Sequence, residues 1–155
     1  MLTVRHVTSS DEMPAVRALF EEYAAAIGID LCFQDFEHEL ETLPGAYAQP
    51  GGAIIVAEVE GSLAGCVALR ALGPSICEMK RLYVRPAFRR GGVGRVLAEA
   101  VIAEARRIGY RAMRLDTLRT MVEAASLYRS IGFREIEAYC HNPIEGALYF
   151  ELELG

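Results

Sequence analysis

Leu82-Tyr83-Val84-Arg85-Pro86-Ala87-Phe88-Arg89-Arg90-Gly91-Gly92-Val93-Gly94-Arg95 reads as the end of a strand, a tight basic turn and the start of a helix. Cys77 to Val84 is rich in β-branched, aromatic and long apolar residues, and Pro86 ends the strand because proline cannot donate to a ladder. From Val93 the apolar residues fall at Val93, Val96, Leu97, Ala100, Val101 and Ile108, the spacing of one helix face. Between the two lie Arg89 and Arg90 with Gly91, Gly92 and Gly94. A helix start leaves backbone N–H groups without partners and carries partial positive charge. Glycines let an anion approach those groups, and arginines add fixed charge, so the stretch outlines a phosphate cradle.

Two familiar cradles do not fit. The dinucleotide pattern Gly-x-Gly-x-x-Gly would need glycine where Leu97 stands, and no acidic residue suited to a ribose follows about 20 residues on. The nucleotide loop needs Gly-Lys-Ser/Thr, which the chain lacks.

The rest of the chain supplies a frame of alternating elements. Leu2 to Val7 alternates as a strand, and Ser9 with Glu12 stands at capping-box spacing before a helix whose stripe is Val16, Leu19, Phe20, Tyr23, Ala24 and Ile27, ended by Gly28. Phe33 to Leu43 reads as a second helix with Phe36, Leu40 and Leu43 inward and Glu37, Glu39 and Glu41 outward. Strands follow at Ala53–Val59, Leu63–Arg70 and Ser75–Val84, the first two joined at Glu60-Gly61. In the third, simple alternation puts Ile76, Glu78, Lys80, Leu82 and Val84 on one face and Cys77, Met79, Arg81 and Tyr83 on the other. A polar run inside an apolar strand signals a bulge or a cleft. A strand at Arg111–Thr117, a helix with Met121, Ala124, Ala125, Tyr128 and Ile131 inward, and strands at Arg134–Tyr139 and Ala147–Leu154 complete the order βααβββαβαββ. Neither a repeat nor a linker interrupts it, so residues 1–155 form one α/β domain with a mixed sheet.

Composition narrows the function. The 155 residues are 52% hydrophobic and 24% charged, a globular balance large enough for a proper core. A net charge of −5 disfavours nucleic acid, because the one basic cluster, Arg81 to Arg95, coincides with the cradle. The first residues lack the apolar run of a signal peptide and no segment approaches ~18 apolar residues, so a cytoplasmic protein without a membrane partner is expected. Cys32, Cys66, Cys77 and Cys140 read as reduced thiols, and His6, His38 and His141 show no ligand spacing with them, so no metal is expected. Cys140-His141 is not read as a nucleophile pair, since chain neighbours rarely face each other.

Arg89-Arg90-Gly91-Gly92-Val93-Gly94 matches Arg-x-x-Gly-x-Gly after a strand, and this resembles the acetyl-CoA motif of the GNAT superfamily of N-acetyltransferases. Glu78-Met79-Lys80-Arg81-Leu82-Tyr83-Val84 resembles the family's fourth strand, and Ala124-Ala125-Ser126-Leu127-Tyr128-Arg129-Ser130-Ile131-Gly132-Phe133 its Ala-x-x-Leu-Tyr-x-x-x-Gly-Phe signature. The element order agrees over essentially the whole chain. The resemblance implies a mostly antiparallel sheet splayed between its fourth and fifth strands. It implies acetyl-CoA as co-substrate, with Arg89 to Arg95 at the pyrophosphate, the backbone of Leu82, Tyr83 and Val84 at the pantetheine arm, and Met121, Ala124 and Tyr128 alongside. Many relatives carry asparagine where Met121 stands, so only packing is expected there.

The chemistry implied is acetyl transfer to a primary amine of a small molecule or peptide, by direct attack in a ternary complex. Tyr128 is the expected acid for the leaving thiolate and Glu78 the expected base, with an oxyanion contact near the Leu82 N–H. Read from position alone, Tyr128 is instead a core tyrosine and Glu78 a strand carboxylate paired with Lys80 or Arg81. The acceptor site implied by the resemblance comprises Tyr23, Leu31, Phe33, Phe36, Glu78, Tyr139 and Asn142, and Glu22, Asp35 and Glu78 lean toward a cationic amine. The alternative function is a coenzyme A-binding sensor or interaction module without turnover. A homodimer is expected from the strand face Leu148, Phe150, Leu152 and Leu154.

Overall fold

The computed structural model describes residues 1–28, 31 and 35–155. Its strands are β1 (Leu2–His6), β2 (Ala53–Val59), β3 (Ser62–Ala71), β4 (Ile76–Val84), β5 (Ala112–Leu118), β6 (Arg134–Ile136) and β7 (Ala147–Glu153). Among the described residues four α-helices accompany them: α1 (Met13–Ile27), α2 (Phe36–Glu41), α3 (Val93–Ile108) and α4 (Val122–Ile131). The order is the expected βααβββαβαββ, and the strands form one seven-stranded sheet, β1-β2-β3-β4-β5-β7-β6.

β2 and β3 are buried along most of their length because helices cover both faces. Ala53, Ile55 and Ala57 point toward Leu97, Ala98 and Val101 of α3, while Ile54 and Val56 point toward Val16, Leu19 and Phe20 of α1. Glu60 (φ 51°) and Gly61 (φ 81°) form the β2–β3 turn, both left-handed as a tight hairpin requires. Gly65 answers a close approach: a Cβ there would lie 2.3 Å from the Tyr83 carbonyl of β4.

Every neighbouring pair is antiparallel except β4–β5. That parallel pair is hydrogen-bonded only through Ile76–Ala112, Cys77–Met113 and Glu78–Arg114, after which the two strands part. The splay is therefore where the resemblance put it.

Several local expectations change. Arg81 adopts φ 61°, and the β3–β4 register jumps so that Arg81 and Leu82 stand opposite the single residue Val67. The bulge reverses the alternation: Leu82 and Val84 join Cys77 and Met79 on the α3 face, while Tyr83 turns to the α1 face with Arg81. Helix α2 is shorter than expected and Glu39 is not outward, because it is drawn in to Arg81. Ser9 caps the turn Ser10–Glu12 by accepting from the Asp11 N–H, but the Glu12 carboxylate accepts from Arg5, so the capping box is not reciprocal. β6 stops at Ile136 rather than Tyr139. Leu148 and Phe150 are buried in the domain's own core with Leu152 and Leu154 packed on it, so that face gives no reason for a dimer. Among the described residues no helix is long and apolar enough to cross a membrane.

Candidate active site

The parting of β4 and β5 opens a cleft lined by Met79, Lys80, Arg81 and Leu82 on one side and Leu115, Asp116 and Thr117 on the other. Tyr23 of α1 and Met121 and Tyr128 of α4 close it. Tyr128 is 6% exposed, edge-on to Phe133 at 5.7 Å between ring centres. Among the described residues nothing lies within hydrogen-bond distance of its hydroxyl. Burial pushes that hydroxyl's pKa up, aided by Tyr23 and Asp116, so the group stays protonated at neutral pH. Met121 stands at the start of α4, its sulfur accepting from Thr117 Oγ1 at 3.6 Å, and Ala124 follows on the helix.

At the end of β4 the chain turns through Pro86–Phe88 into the cradle. Arg90 (φ 75°) and Gly92 (φ 79°) are both left-handed, which exposes successive amides on one side. Among the described residues the N–H groups of Arg90 to Arg95 have no backbone acceptor; Val96 is the first to donate, to the Gly92 carbonyl at 3.1 Å. A Cβ on Gly92 would meet nothing within 4 Å, and one on Gly94 only Val84 and Leu127 at 3.7 and 3.8 Å. The turn thus keeps open space over unpaired amides, which suits a pyrophosphate. The arginines differ in aim. Arg89 donates to the Val84 carbonyl, while Arg95 turns away from the turn to Ser130 and Glu99, leaving its amide as its contribution.

The other end of the cleft is charged. Glu78 is 1% exposed: its Oε1 accepts from Arg70 at 2.7 Å and its Oε2 from the Tyr139 hydroxyl at 2.6 Å. Burial and the Glu78 charge both raise the Tyr139 pKa, keeping that phenol a donor. Lys80 Nζ lies 3.9 Å from both Glu78 Oε1 and Asp116 Oδ1. Asp116 also accepts from Asn142 Nδ2 at 3.1 Å. Arg81 is not Glu78's partner; it forms a two-pronged pair with Glu39 (2.9 and 2.8 Å), 5.1 Å from the Phe36 ring centre and 5.6 Å from that of Tyr23.

Of the acceptor residues named from the sequence, Tyr23, Leu31 and Asn142 line one hollow beside the cleft, and Tyr139 and Glu78 share a hydrogen bond. Phe33 lies outside the described residues. Glu22 does not face the charged pocket; it holds Arg85 and Tyr83, and Asp35 is exposed at the start of α2. Arg70, Lys80, Asp116 and Glu39 were not singled out as site residues. Only one local signal was available, a lysine and an aspartate interrupting two central apolar strands. Cys140 and His141 do border the pocket, but partial desolvation, Asp116 and Glu78 push the Cys140 thiol's pKa up, the reverse of an activated nucleophile. Among the described residues no cluster of His, Cys, Asp and Glu is suited to a metal ion.

The same arrangement of strands occurs in known proteins. An acetyltransferase of the GNAT family from Staphylococcus aureus Mu50 superposes over 100% of both chains with a TM-score of 0.83 at 18% identity. In sequence, the chain is 39% identical to an N-acetyltransferase of Schizosaccharomyces pombe, described as uncharacterized, over 99% of this chain and 95% of that one. It is 30% identical to a similarly described N-acetyltransferase of Dictyostelium discoideum, over 92% and 94% of the two chains. The family model for the acetyltransferase (GNAT) family matches residues 13–133. The chain belongs to the GNAT family. This GNAT protein is accordingly an acyltransferase, and its matched residues run from the start of α1 to the end of the Tyr128 signature.

Proposed function

We propose that this acyltransferase moves an acetyl group from acetyl-CoA to a primary amine of a small molecule or peptide, by direct attack in a ternary complex. The observation that carries the reading is the order along one cleft: open backbone amides beyond Val84, a buried protonated tyrosine midway, and a charged pocket holding Glu78 beyond it. The pyrophosphate suits the amides of Arg90 to Arg95, with Arg89 and Arg90 adding charge, and the bulge offers backbone beside Leu82 for the thioester arm and its developing oxyanion.

The thioester supplies an activated acetyl carbon and a thiolate leaving group. The acceptor nitrogen forms a bond to that carbon as the carbon–sulfur bond breaks. Glu78 receives the amine proton, directly or through a water, using lone pairs not engaged by Arg70 and Tyr139. Tyr128 gives its proton to the departing sulfur. Asp116 and Asn142 shape the wall between the two groups.

Tyr128→Phe tests the acid. Thiol release should fall by about 10²-fold or more while fold and coenzyme affinity persist, since only a hydroxyl is lost; unchanged turnover would return Tyr128 to the core. Glu78→Gln should lower kcat/KM most at low pH, where the amine is most protonated, with the deficit narrowing as pH rises. A KM increase at constant kcat would instead make Glu78 a binding group.

A further inference from the structure

Lys80 places a buried amine on the central strand β4. Its side chain is 7% exposed, and among the described residues no acceptor comes within hydrogen-bond distance; the nearest carboxylate oxygens stand at 3.9 Å. Burying an ammonium this way is costly unless something completes its donors. Burial lowers its pKa, while Glu78 and Asp116 oppose that shift.

Lys80 also occupies a particular place. It lines both the Tyr128 cleft and a cavity of about 150 Å³ on the α2 side, and Asp116 and Arg81 are shared by the two. The cavity's charged lining consists of Glu39, Glu78 and Asp116 against Arg70, Lys80 and Arg81. Glu39 is taken by Arg81 through two hydrogen bonds and Glu78 by Arg70, which leaves Lys80 facing Asp116, whose other oxygen accepts from Asn142, at a distance too long for a hydrogen bond. Arg70 reaches the same Glu78 oxygen as Lys80, so the two cations stand on one side of the pocket. Counted formally, with His141 neutral, three acids stand against three bases in this lining. A bare amine would add an uncompensated positive charge to this lining, and a molecule carrying both signs would not.

We propose that the acceptor is a free amino acid bound as its zwitterion, its α-carboxylate on Lys80 with Arg70 at the rim and its amino group toward Glu78 and Asp116. The inference rests on the acetyltransfer reading and narrows its acceptor. It replaces the leaning toward a cationic amine, because of the three acids that motivated it only Glu78 lies in this pocket and Arg70 already neutralises it. The α-ammonium first gives one proton to Glu78, which frees its lone pair; the C–N bond then forms as the thioester C–S bond breaks, the departing sulfur takes its proton from Tyr128, the second nitrogen proton makes good that loss, and the carboxylate is unchanged.

Binding to protein saturated with unreactive coenzyme A separates this inference from its parent. Each common amino acid is titrated by calorimetry beside its own α-amide and an aliphatic diamine. At least one amino acid should bind tenfold or more tightly than its amide, and the diamine should not bind. Lys80→Met should abolish that preference and Lys80→Arg should restore much of it, with the coenzyme's own binding equal in all three proteins as the check on folding. Equal binding of acid and amide, binding of the diamine alone, no binding of any amino acid, or a preference that survives in Lys80→Met each overturns the inference while leaving acetyltransfer standing. Failure of coenzyme A to bind the wild-type protein would instead sink the parent reading and this one with it.

Discussion

At one end of the β4–β5 cleft the groups available to a ligand are the backbone amides of consecutive residues, Arg90 to Arg95, held open by left-handed turns at Arg90 and Gly92. At the other end they are side chains drawn from α2, β3, β4, β5 and the loop ahead of β7, where Arg81 is locked to Glu39 and Arg70 to Glu78. The first end is a property of chain direction and tolerates many side chains around it. The second depends on each charge having its counterpart, since a buried charge that loses its partner is costly. A family can therefore keep the coenzyme end constant while the acceptor end is rebuilt charge by charge.

Three substitutions sharpen this contrast. The largest effect is expected from Glu39→Gln, which leaves Arg81 buried between Tyr23 and Phe36 without a counter-charge. We expect a loss of about 3 kcal/mol in urea unfolding, toward the lower end for a buried pair because the Glu39 side chain keeps 16% exposure. A loss below about 1 kcal/mol, the level of a surface pair, would show that the acceptor end does not depend on paired charges. Gly94→Val comes next. The free protein should fold, since a Cβ there meets Val84 and Leu127 at ordinary contact distance. The melting-temperature rise with acetyl-CoA, worth about 2.7 kcal/mol at 100-fold excess over Kd, should vanish. In the wild type that rise should shrink with salt. A wild-type response in the variant would remove the cradle from the account.

The smallest effect is expected from Glu22→Gln at the rim, where Glu22 pairs with Arg85 and both side chains are about one-third exposed (38% and 32%). The Arg85 hydrogen bond lowers the Glu22 pKa, so its stabilisation is present above the unfolded-state value and disappears as pH falls through the folded-state one. Solvent screening should hold the loss to about 0.5–1 kcal/mol at neutral pH, and acid should erase the difference between variant and wild type. A loss that grows in acid would reverse the sign assigned to the pair.

The same contrast explains what could be read before folding. The cradle and the Tyr128 signature are short contiguous runs, so residue type and spacing reveal them together with the strand and helix they join. The frame was also legible, because the stripes of α1, α3 and α4 and the apolar runs of β2 and β3 are local patterns. The acceptor pocket was not. Glu39 looked like one of several solvated glutamates, and nothing in its neighbourhood foretells that Arg81 waits on a bulge 42 positions later. Lys80 and Asp116 meet only because the β4–β5 register, continued past Glu78–Arg114, brings them to the same level across the splay. The polar run in β4 did signal a bulge, but its position, and hence the faces of Leu82 and Tyr83, followed from the left-handed backbone at Arg81.

The central claim is that the two ends act on each other across the cleft, so that coenzyme bound at one end is consumed by an amine at the other. Release of free coenzyme A thiol from acetyl-CoA, followed across a panel of amines with mass detection of the product, tests it most directly. The account predicts thiol release that requires an amine, saturates with it and matches the N-acetylated product mole for mole. Saturable acetyl-CoA binding with no thiol release for any amine would contradict it and leave a coenzyme-binding sensor.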